Sequence, residues 1–307
     1  MDHTVPVRVR WDVDFHGRAG RTKRIARQIR EASPKVVELR IEGEKGISEL
    51  PAVFAEIHKC NPWIEATVRL FPGAAALAQR GYPMKFVWEV DVREPFDGLL
   101  PHGAEAISFT ADESSLAGLP DVLEEFTGSR ARVLHLPNVN AIRALAEVGH
   151  VPIPRIEQLQ AAVESVSRLS VSLKGKSLVI HDYFLWKLFH DVLPEETGKR
   201  IGFLGCHAAS ALAYVDWDGN VYPCDSLPIR LGNLQEATLQ KIWRSPARIQ
   251  ILDTLRAAPS GCEGCSQFEG CHAGCRGLAY TVSGSLSSRD PFCRESPSAG
   301  AKRKFEL

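Results

Sequence analysis

Seven of the chain's eight cysteines fall between Cys206 and Cys293, and their spacing constrains the fold more than any other feature. They run Cys206, Cys224, then Cys262-x2-Cys265-x5-Cys271-x3-Cys275, then Cys293. The opening residues MDHTVPVRVRW carry neither the basic start nor the apolar core of an export signal. A reducing cytoplasm is therefore expected, where dense cysteines favour metal ligation over disulfides. A Cys-x2-Cys pair lets one tight turn offer two sulfurs to a single centre. Gly264, Gly270 and Gly274 directly precede Cys265, Cys271 and Cys275. Glycine there lets the backbone fold closely around a cluster and aim N–H groups at sulfur. Iron–sulfur clusters usually take four thiolates, and zinc accepts the same donors. Two zinc sites would want one ligand more than the seven cysteines, which His207 or His272 could supply. The spacing by itself leaves iron–sulfur, zinc and disulfides open.

The 307 residues suffice for one large domain and a smaller one. Lys+Arg and Asp+Glu balance at 37 each, so no overall field points to nucleic acid or an anionic membrane. No apolar run is long enough to span a bilayer; even IHDYFLWKLFHDVL is broken by charges. Over the first two thirds, strand-like and helix-like stretches alternate. Strands are predicted at 7–15, 36–43, 66–71, 85–92, 106–111 and 131–136. Helices are predicted at 20–31, about 47–59, 73–80, 115–128, 139–148 and 156–169, the last leading to the apolar run SLVIHDYFLW (177–186). About six such units predict an α/β fold, a partial (β/α)6-type barrel rather than a full eightfold one. Past 195–205 the chain turns Cys- and Gly-rich and reads as β-hairpins, one of them turning at Asp218-Gly219, with one helix at about 236–256. The expected division is a barrel at 1–197, a Cys-rich domain at 198–297 and a flexible tail at 298–307.

Residues 200–293 resemble a SPASM domain, the auxiliary-cluster domain that follows the barrel in many radical SAM peptide-modifying enzymes. The resemblance rests on Gly219-x4-Cys224, on each spacing of the four-cysteine run and on the text YVDWDGNVYPCDSLPIRLGNL followed by LQKIWRSP. It implies two [4Fe–4S] clusters. Cys262, Cys265, Cys271 and Cys293 would hold the distal one, and Cys206, Cys224 and Cys275 the proximal one. Family members with a fourth proximal cysteine place it about six residues after the first, where this chain has Leu212. The resemblance therefore implies a proximal cluster whose fourth iron is open or held by a non-Cys ligand such as a peptide group.

A radical SAM enzyme also carries Cys-x3-Cys-x2-Cys in the loop after its first barrel strand. Here that loop is HGRAGRTKR, without a cysteine, and Cys60 is the only cysteine before Cys206. The family's Gly-Gly-Glu-Pro motif matches Glu42-Gly43-Glu44-Lys45 only in its middle, which reads as a strand-to-helix turn, so SAM binding is not carried over. A degenerate barrel with an intact seven-cysteine domain resembles the GeoRSP system SPASM domain protein family. That resemblance implies an accessory to radical SAM-dependent ribosomal peptide modification, acting through electron transfer or peptide binding. Its expected partners are a radical SAM/SPASM enzyme and a ribosomal peptide precursor, with no nucleic acid and no membrane. Autonomous radical SAM activity is not expected. Two other readings stand beside it: an active radical SAM/SPASM enzyme with atypical ligation, for which the loop offers only His16, and a zinc-stabilised binding module. Among single residues, Cys60 reads as an incidental thiol and the basic helix Arg18–Arg30 as a solvated face. Asp91 sits near a strand end with Trp88 and Glu89 before it, Asp225 after Cys224 reads equally as a turn residue or as a group that polarises a cluster ligand or faces a bound peptide, and Trp243 reads as a core anchor.

Overall fold

The computed structural model describes residues 3–13, 19–41, 43–59, 64–70, 85–89, 104–169, 173, 175–192, 201–203 and 205–293. In chain order the strands are β1 (Arg8–Val13), β2 (Val36–Ile41), β3 (Glu65–Leu70), β4 (Lys85–Glu89), β5 (Ala104–Ser108), β6 (Val133–Leu136), β7 (Ser177–Ile180), β8 (Ile201–Phe203), β9 (Leu212–Val215), β10 (Asn220–Tyr222) and β11 (Gly232–Asn233). The helices are α1 (Ala19–Ala32), α2 (Gly43–His58), α3 (Leu119–Gly128), α4 (Ala141–Val148), α5 (Ile156–Ser167), α6 (Tyr183–Val192), α7 (Leu239–Trp243), α8 (Pro246–Arg256), α9 (Phe268–Cys271) and α10 (Arg276–Ser283). Two compact units divide the chain. One comprises Met1–Glu89, Pro101–Ala104 and His207–Thr254; the other comprises Val90–Leu100, Glu105–Cys206 and Leu255–Leu307.

In the first unit β1 is flanked by parallel neighbours on both sides, with Val9 opposite Val37 of β2 and Ala213 of β9. Strands β3 and β4 extend the parallel run, while β10 and β11 add antiparallel strands beyond β9. Side chains alternate across a strand, so β1 and β2 present two unlike faces. Val9, Trp11, Val13, Val37, Leu39 and Ile41 are buried, as are Ile25, Ala26 and Ile29 of α1 and Leu50, Val53 and Ile57 of α2. Each large aliphatic so buried contributes about 1.5–3 kcal/mol. The other face carries Arg8, Arg10, Asp12, Glu38 and Arg40, a row of charges in adjacent register. The predicted hairpin forms between β9 and β10, with Gly219 at φ +81° and its amide donating to the Asp216 carbonyl.

The second unit holds β5, β6, β7 and β8 in parallel. Its core combines Ile107, Leu134, Leu136, Leu178 and Ile180 with Leu119, Val122, Leu123 and Phe126 of α3 and Leu159, Ala162 and Val166 of α5. Asn140 caps α4 by accepting from the Arg143 amide at 3.0 Å. Lys176 Nζ donates to the carbonyls of Phe126, Ser129 and Ala131 at 2.6–2.7 Å, satisfying acceptors left over at the end of α3.

Several boundaries differ from the sequence reading, for local reasons. The run 177–186 splits into β7 and the start of α6, because Asp182 Oδ1 accepts the Leu185 amide at 2.9 Å and caps a helix there. The single helix expected at 236–256 becomes α7 and α8. Pro246 lacks an N–H and disfavours helical backbone at Ser245, so the chain breaks between them. Helix α2 begins at Gly43, earlier than expected, directly after β2. Strand β8 and the short helices α9 and α10 had no clear signal in the sequence. The helix expected at 73–80 lies outside the described residues. Among the described residues no helix is long and apolar enough to cross a membrane.

Asp182 also yields a pH prediction. Burial pushes its carboxyl up to about 6, against the amides of Leu185 and Phe184, which pull it down. The folded state therefore holds the proton more tightly than the unfolded chain. Stability from this group is present below about pH 4 and falls as pH rises towards about 6. Asp182→Asn keeps the capping oxygen without the charge. The variant is expected to match the wild type near pH 4 and to exceed it by up to about 3 kcal/mol at pH 7. Chemical denaturation at the two pH values measures the difference.

Candidate metal centre

Cys262, Cys265, Cys271 and Cys293 all lie in the second unit. The Cys262-x2-Cys265 segment closes a turn in which the Cys265 amide donates to the Cys262 carbonyl at 3.2 Å. Gly264 occupies its third position at φ +72°, the conformation a type II turn demands. The chain then forms the single turn of α9, which ends at Cys271. Three consecutive residues follow in the left-handed region: His272 at φ 48°, Ala273 at 65° and Gly274 at 70°. For the two non-glycines this costs about 1–2 kcal/mol each. Such strain persists only where surrounding contacts enforce it, and it concentrates at functional sites.

The enforcing contacts come from Asp290. Its amide donates to the Ala273 carbonyl at 3.1 Å, and its Oδ2 accepts the Cys275 amide at 2.8 Å. Its Oδ1 accepts the Phe292 amide at 2.9 Å, and its carbonyl accepts the Cys293 amide at 3.1 Å. One buried aspartate thus ties the Cys271–Cys275 loop to the Cys293 loop. Burial pushes the Asp290 carboxyl up to about 7, against the Cys275 and Phe292 amides, with the charge of Asp182 pushing it further. Phe292 stacks edge-on against Phe184 of α6 at 6.0 Å between ring centroids, which anchors the second loop.

Cys275 caps α10, its Sγ accepting the Leu278 amide at 3.3 Å. A sulfur at a helix N-terminus is stabilised as thiolate, and hydrogen bonds to sulfur tune a cluster. Cys206 belongs to the same unit. A Cβ at the preceding Gly205 would lie 3.2 Å from the His272 ring, so this segment packs against the strained turn.

Cys224 lies in the first unit, at the end of the β9–β10 hairpin, bridged to Leu227. The next residue, Asp225, accepts two bonds from Arg10 Nη1 at 2.9 and 3.2 Å. Arg10 Nε also donates to Glu38 at 2.6 Å, and Glu38 pairs with Arg8 at 2.5 Å. Burial alone would push the Arg10 guanidinium down, but Asp225 and Glu38 hold it well above its ordinary value. On the same face Asp12 accepts from the Tyr214 hydroxyl at 2.8 Å, with Arg40 at 3.9 Å.

The donor set can be tested for a metal group. No disulfide joins any of the seven described cysteines. Burial pushes the Cys262 thiol up, and Cys293 and Cys265 add to the rise. Burial pushes Cys271 up to about 11 against the Ala273 amide, with Cys293, Cys262 and Cys265 again adding. For Cys262 and Cys271 the bare thiolate is therefore disfavoured, and ligation offsets that cost. Among the described residues no three or more His, Cys, Asp or Glu converge as they would on a single ion. Zinc and iron–sulfur clusters both take cysteine thiolates, and the donor types here suit thiolate ligation.

The comparisons with known proteins agree. Residues 206–266 match SPASM, an iron–sulfur cluster-binding domain. The matched range includes Cys206, Cys224, Cys262 and Cys265. The AdoMet-dependent heme synthase of Nitratidesulfovibrio vulgaris is 27% identical over 106 residues, 34% of this chain and 29% of that one. The enzyme of the same name from Methanosarcina barkeri is 30% identical over 89 residues, 29% of this chain and 25% of that one. The matches therefore span less than a third of either relative. Native anSMEcpe solved with bound AdoMet and the Cp18Cys peptide superposes with a TM-score of 0.59 at 12% identity, covering 91% of this chain and 92% of that one. Native anSMEcpe with bound AdoMet alone gives 0.57 at 14%, covering 91% and 92%. At this identity the likeness speaks for the fold, and it bears out an α/β partial barrel followed by a small C-terminal Cys-rich part. Together these findings support an iron–sulfur SPASM domain at residues 206–266 and a fold shared with anSMEcpe.

The remaining sequence candidates are placed as follows. Leu212, at the position of the missing fourth proximal cysteine, is buried in β9. His207 is exposed, and Trp243 is fully buried with its Nε1 donating to the His3 carbonyl at 3.1 Å. In the basic helix α1, Arg30 pairs with Glu56 at 2.6 Å and Arg21 with Asp218, so that face is partly tied down. His16, Cys60 and Asp91 lie outside the described residues. The sequence reading missed Arg10, Asp290 and Arg276. Their signals were an arginine and a glutamate on two neighbouring predicted strands and two charged residues close in sequence to Cys275 and Cys293.

Proposed function

We propose that the chain is an iron–sulfur protein acting as accessory or partner in radical SAM-dependent ribosomal peptide modification, through electron transfer or peptide binding. The observation that carries this reading is a mismatch within one molecule. A thiol set suited to a cluster is built into residues 262–293, while the sequence before Cys60 has no cysteine to hold a radical-generating cluster. Cys262, Cys265, Cys271 and Cys293 would hold a distal [4Fe–4S] cluster, and Cys206, Cys224 and Cys275 a proximal one with a non-Cys or open fourth position. When bound, such clusters supply one-electron transfer, and an iron without a fourth thiolate can receive a substrate group. The partners proposed are a radical SAM/SPASM enzyme and a peptide precursor in the cytoplasm.

The relatives are AdoMet-dependent enzymes by name, which favours as second reading a radical SAM enzyme with atypical ligation. Two measurements separate the readings. Anaerobically purified protein is expected to hold roughly eight irons per chain with matching sulfide; zinc in their place supports the binding-module reading. Incubated with SAM and dithionite, it is expected to yield no 5′-deoxyadenosine above the reagent blank. Turnover by the isolated chain overturns the accessory role.

A further inference from the structure

Helix α1 carries a charge pattern that works against its own stability. Its cations are Arg21, Lys23, Arg24, Arg27 and Arg30, and its single acid is Glu31. No acid occupies the first turn, where the helix dipole favours one, and the cations gather towards that positive end. Lys23 and Arg27, four apart, and Arg24 and Arg27, three apart, repel as neighbours on the helix surface. Arg21 is neutralised by Asp218 of the hairpin, and Arg30 by Glu56 of α2 at 2.6 Å. Arg27 reaches Glu56 only at 3.6 Å and is 53% exposed. Lys23 and Arg24 are exposed, and among the described residues no carboxylate pairs with either. Helix α7 lies beside α1, with Gln240 Nε2 donating to the Glu31 carbonyl at 3.3 Å, and adds exposed Lys241 and Arg244. The whole chain balances 37 cationic against 37 acidic residues, so this excess is local.

We propose that the exposed crest of α1, centred on Lys23, Arg24 and Arg27 and extended by Lys241 and Arg244, docks an acidic peptide segment. This gives the peptide-binding side of the reading above a surface, and rests on that reading for the peptide. Carboxylates laid along the crest meet the side-chain cations and the positive end of the helix together. From Lys23 to Arg27 the helix axis rises about 6 Å. Alternate side chains of an extended chain are roughly 6.6 Å apart, so a segment with acids at alternate positions fits the crest. Nucleic acid fits it less well. The aromatic residue of α7, Trp243, is buried, and α1 has none, so neither helix offers a ring to a base. Glu31, 52% exposed and seven residues beyond Arg24, shares the same face and repels a phosphate backbone.

The test is fluorescence anisotropy of a labelled synthetic peptide with Glu at alternate positions, titrated with the full chain and with a variant combining Lys23→Ala, Arg24→Ala and Arg27→Ala. The Gln version of the peptide and a single-stranded DNA oligomer serve as competitors. Wild type is expected to bind the Glu peptide and to release it as salt shortens the screening length from about 10 Å at 0.1 M to about 3 Å at 1 M. The variant is expected to bind roughly tenfold more weakly, the sum of several modest exposed charge pairs. It should also melt no lower than wild type, because alanine favours helix and the changes remove like-charge repulsion. A variant that binds weakly and melts lower assigns the cations to the fold and overturns the proposal. So do a wild type that ignores the Glu peptide, a variant that binds it equally, a Gln peptide that competes equally, and DNA that competes better than the Glu peptide itself. Iron and sulfide on the same samples keep the two readings apart. Peptide binding without clusters retains this surface and removes the iron–sulfur reading; clusters without peptide binding do the reverse.

Discussion

Gly274→Ala is expected to strip most of the iron from the second unit and to lower the melting temperature of what remains. A Cβ at Gly274 would lie 2.5 Å from the Cβ of Asp290, 2.7 Å from its Oδ2 and 2.9 Å from its Cγ, at φ +70°. Neither side can yield cheaply. Asp290 is held through its carboxylate by the Cys275 and Phe292 amides and through its backbone by Ala273 and Cys293. Moving it releases both cysteine-bearing loops together. The left-handed backbone and the overpacking together cost roughly 2–5 kcal/mol. Because ligation and folding of such a site are coupled, the loss should register as missing metal. Two neighbouring glycines grade the effect. Gly264 has φ +72° with open space around its Cβ, so Gly264→Ala carries the backbone term alone, about 1 kcal/mol. Gly270 has open space and no positive φ, so Gly270→Ala should keep full iron. Iron per chain and thermal melts of the three variants test the order. Equal behaviour of Gly274→Ala and Gly270→Ala would show that the Asp290 clasp does not hold the ligand loops.

The parts of the molecule governed by periodicity and spacing were readable in advance. Alternation in VRVRWDVDF and VVELRIEG predicted strands at 7–15 and 36–43; β1 and β2 lie inside those ranges, at Arg8–Val13 and Val36–Ile41, because one face of each strand had to be apolar. The hairpin at Asp218-Gly219 followed from turn chemistry. What stayed hidden depends on which distant residue meets which. SLVIHDYFLW is almost continuously apolar, and only the capping bond of Asp182 decides where strand gives way to helix. The strained turn at His272–Gly274 has little propensity signal beyond Gly274, since a left-handed non-glycine residue such as Ala273 is uncommon. It is imposed by Asp290, which lies beyond an intervening helix. For Asp225 the sequence offered a turn residue, a group polarising a cluster ligand or one facing a peptide, but not its ion pair, because its partner Arg10 is 215 positions away.

That pair supports the other large prediction. Arg10→Met is expected to destabilise the first unit by about 3–5 kcal/mol, the cost of leaving buried charge uncompensated. The loss falls unevenly. Glu38 keeps Arg8 as a second partner, although Arg8 is 41% exposed and its pairing is weakened by solvent. Asp225, 13% exposed, loses both hydrogen bonds from Arg10 Nη1. It sits in the turn that carries Cys224, so relief by moving outward would drag that turn with it. Adding Glu38→Gln and Asp225→Asn to Arg10→Met removes the stranded charges and should recover much of the deficit, because replacing every member of a buried ion network costs far less than breaking it. Denaturation midpoints of the single and triple variants measure this recovery. A triple variant no more stable than Arg10→Met would mean that the arginine acts through the packing of its aliphatic stem, not through the charges on this face of the sheet.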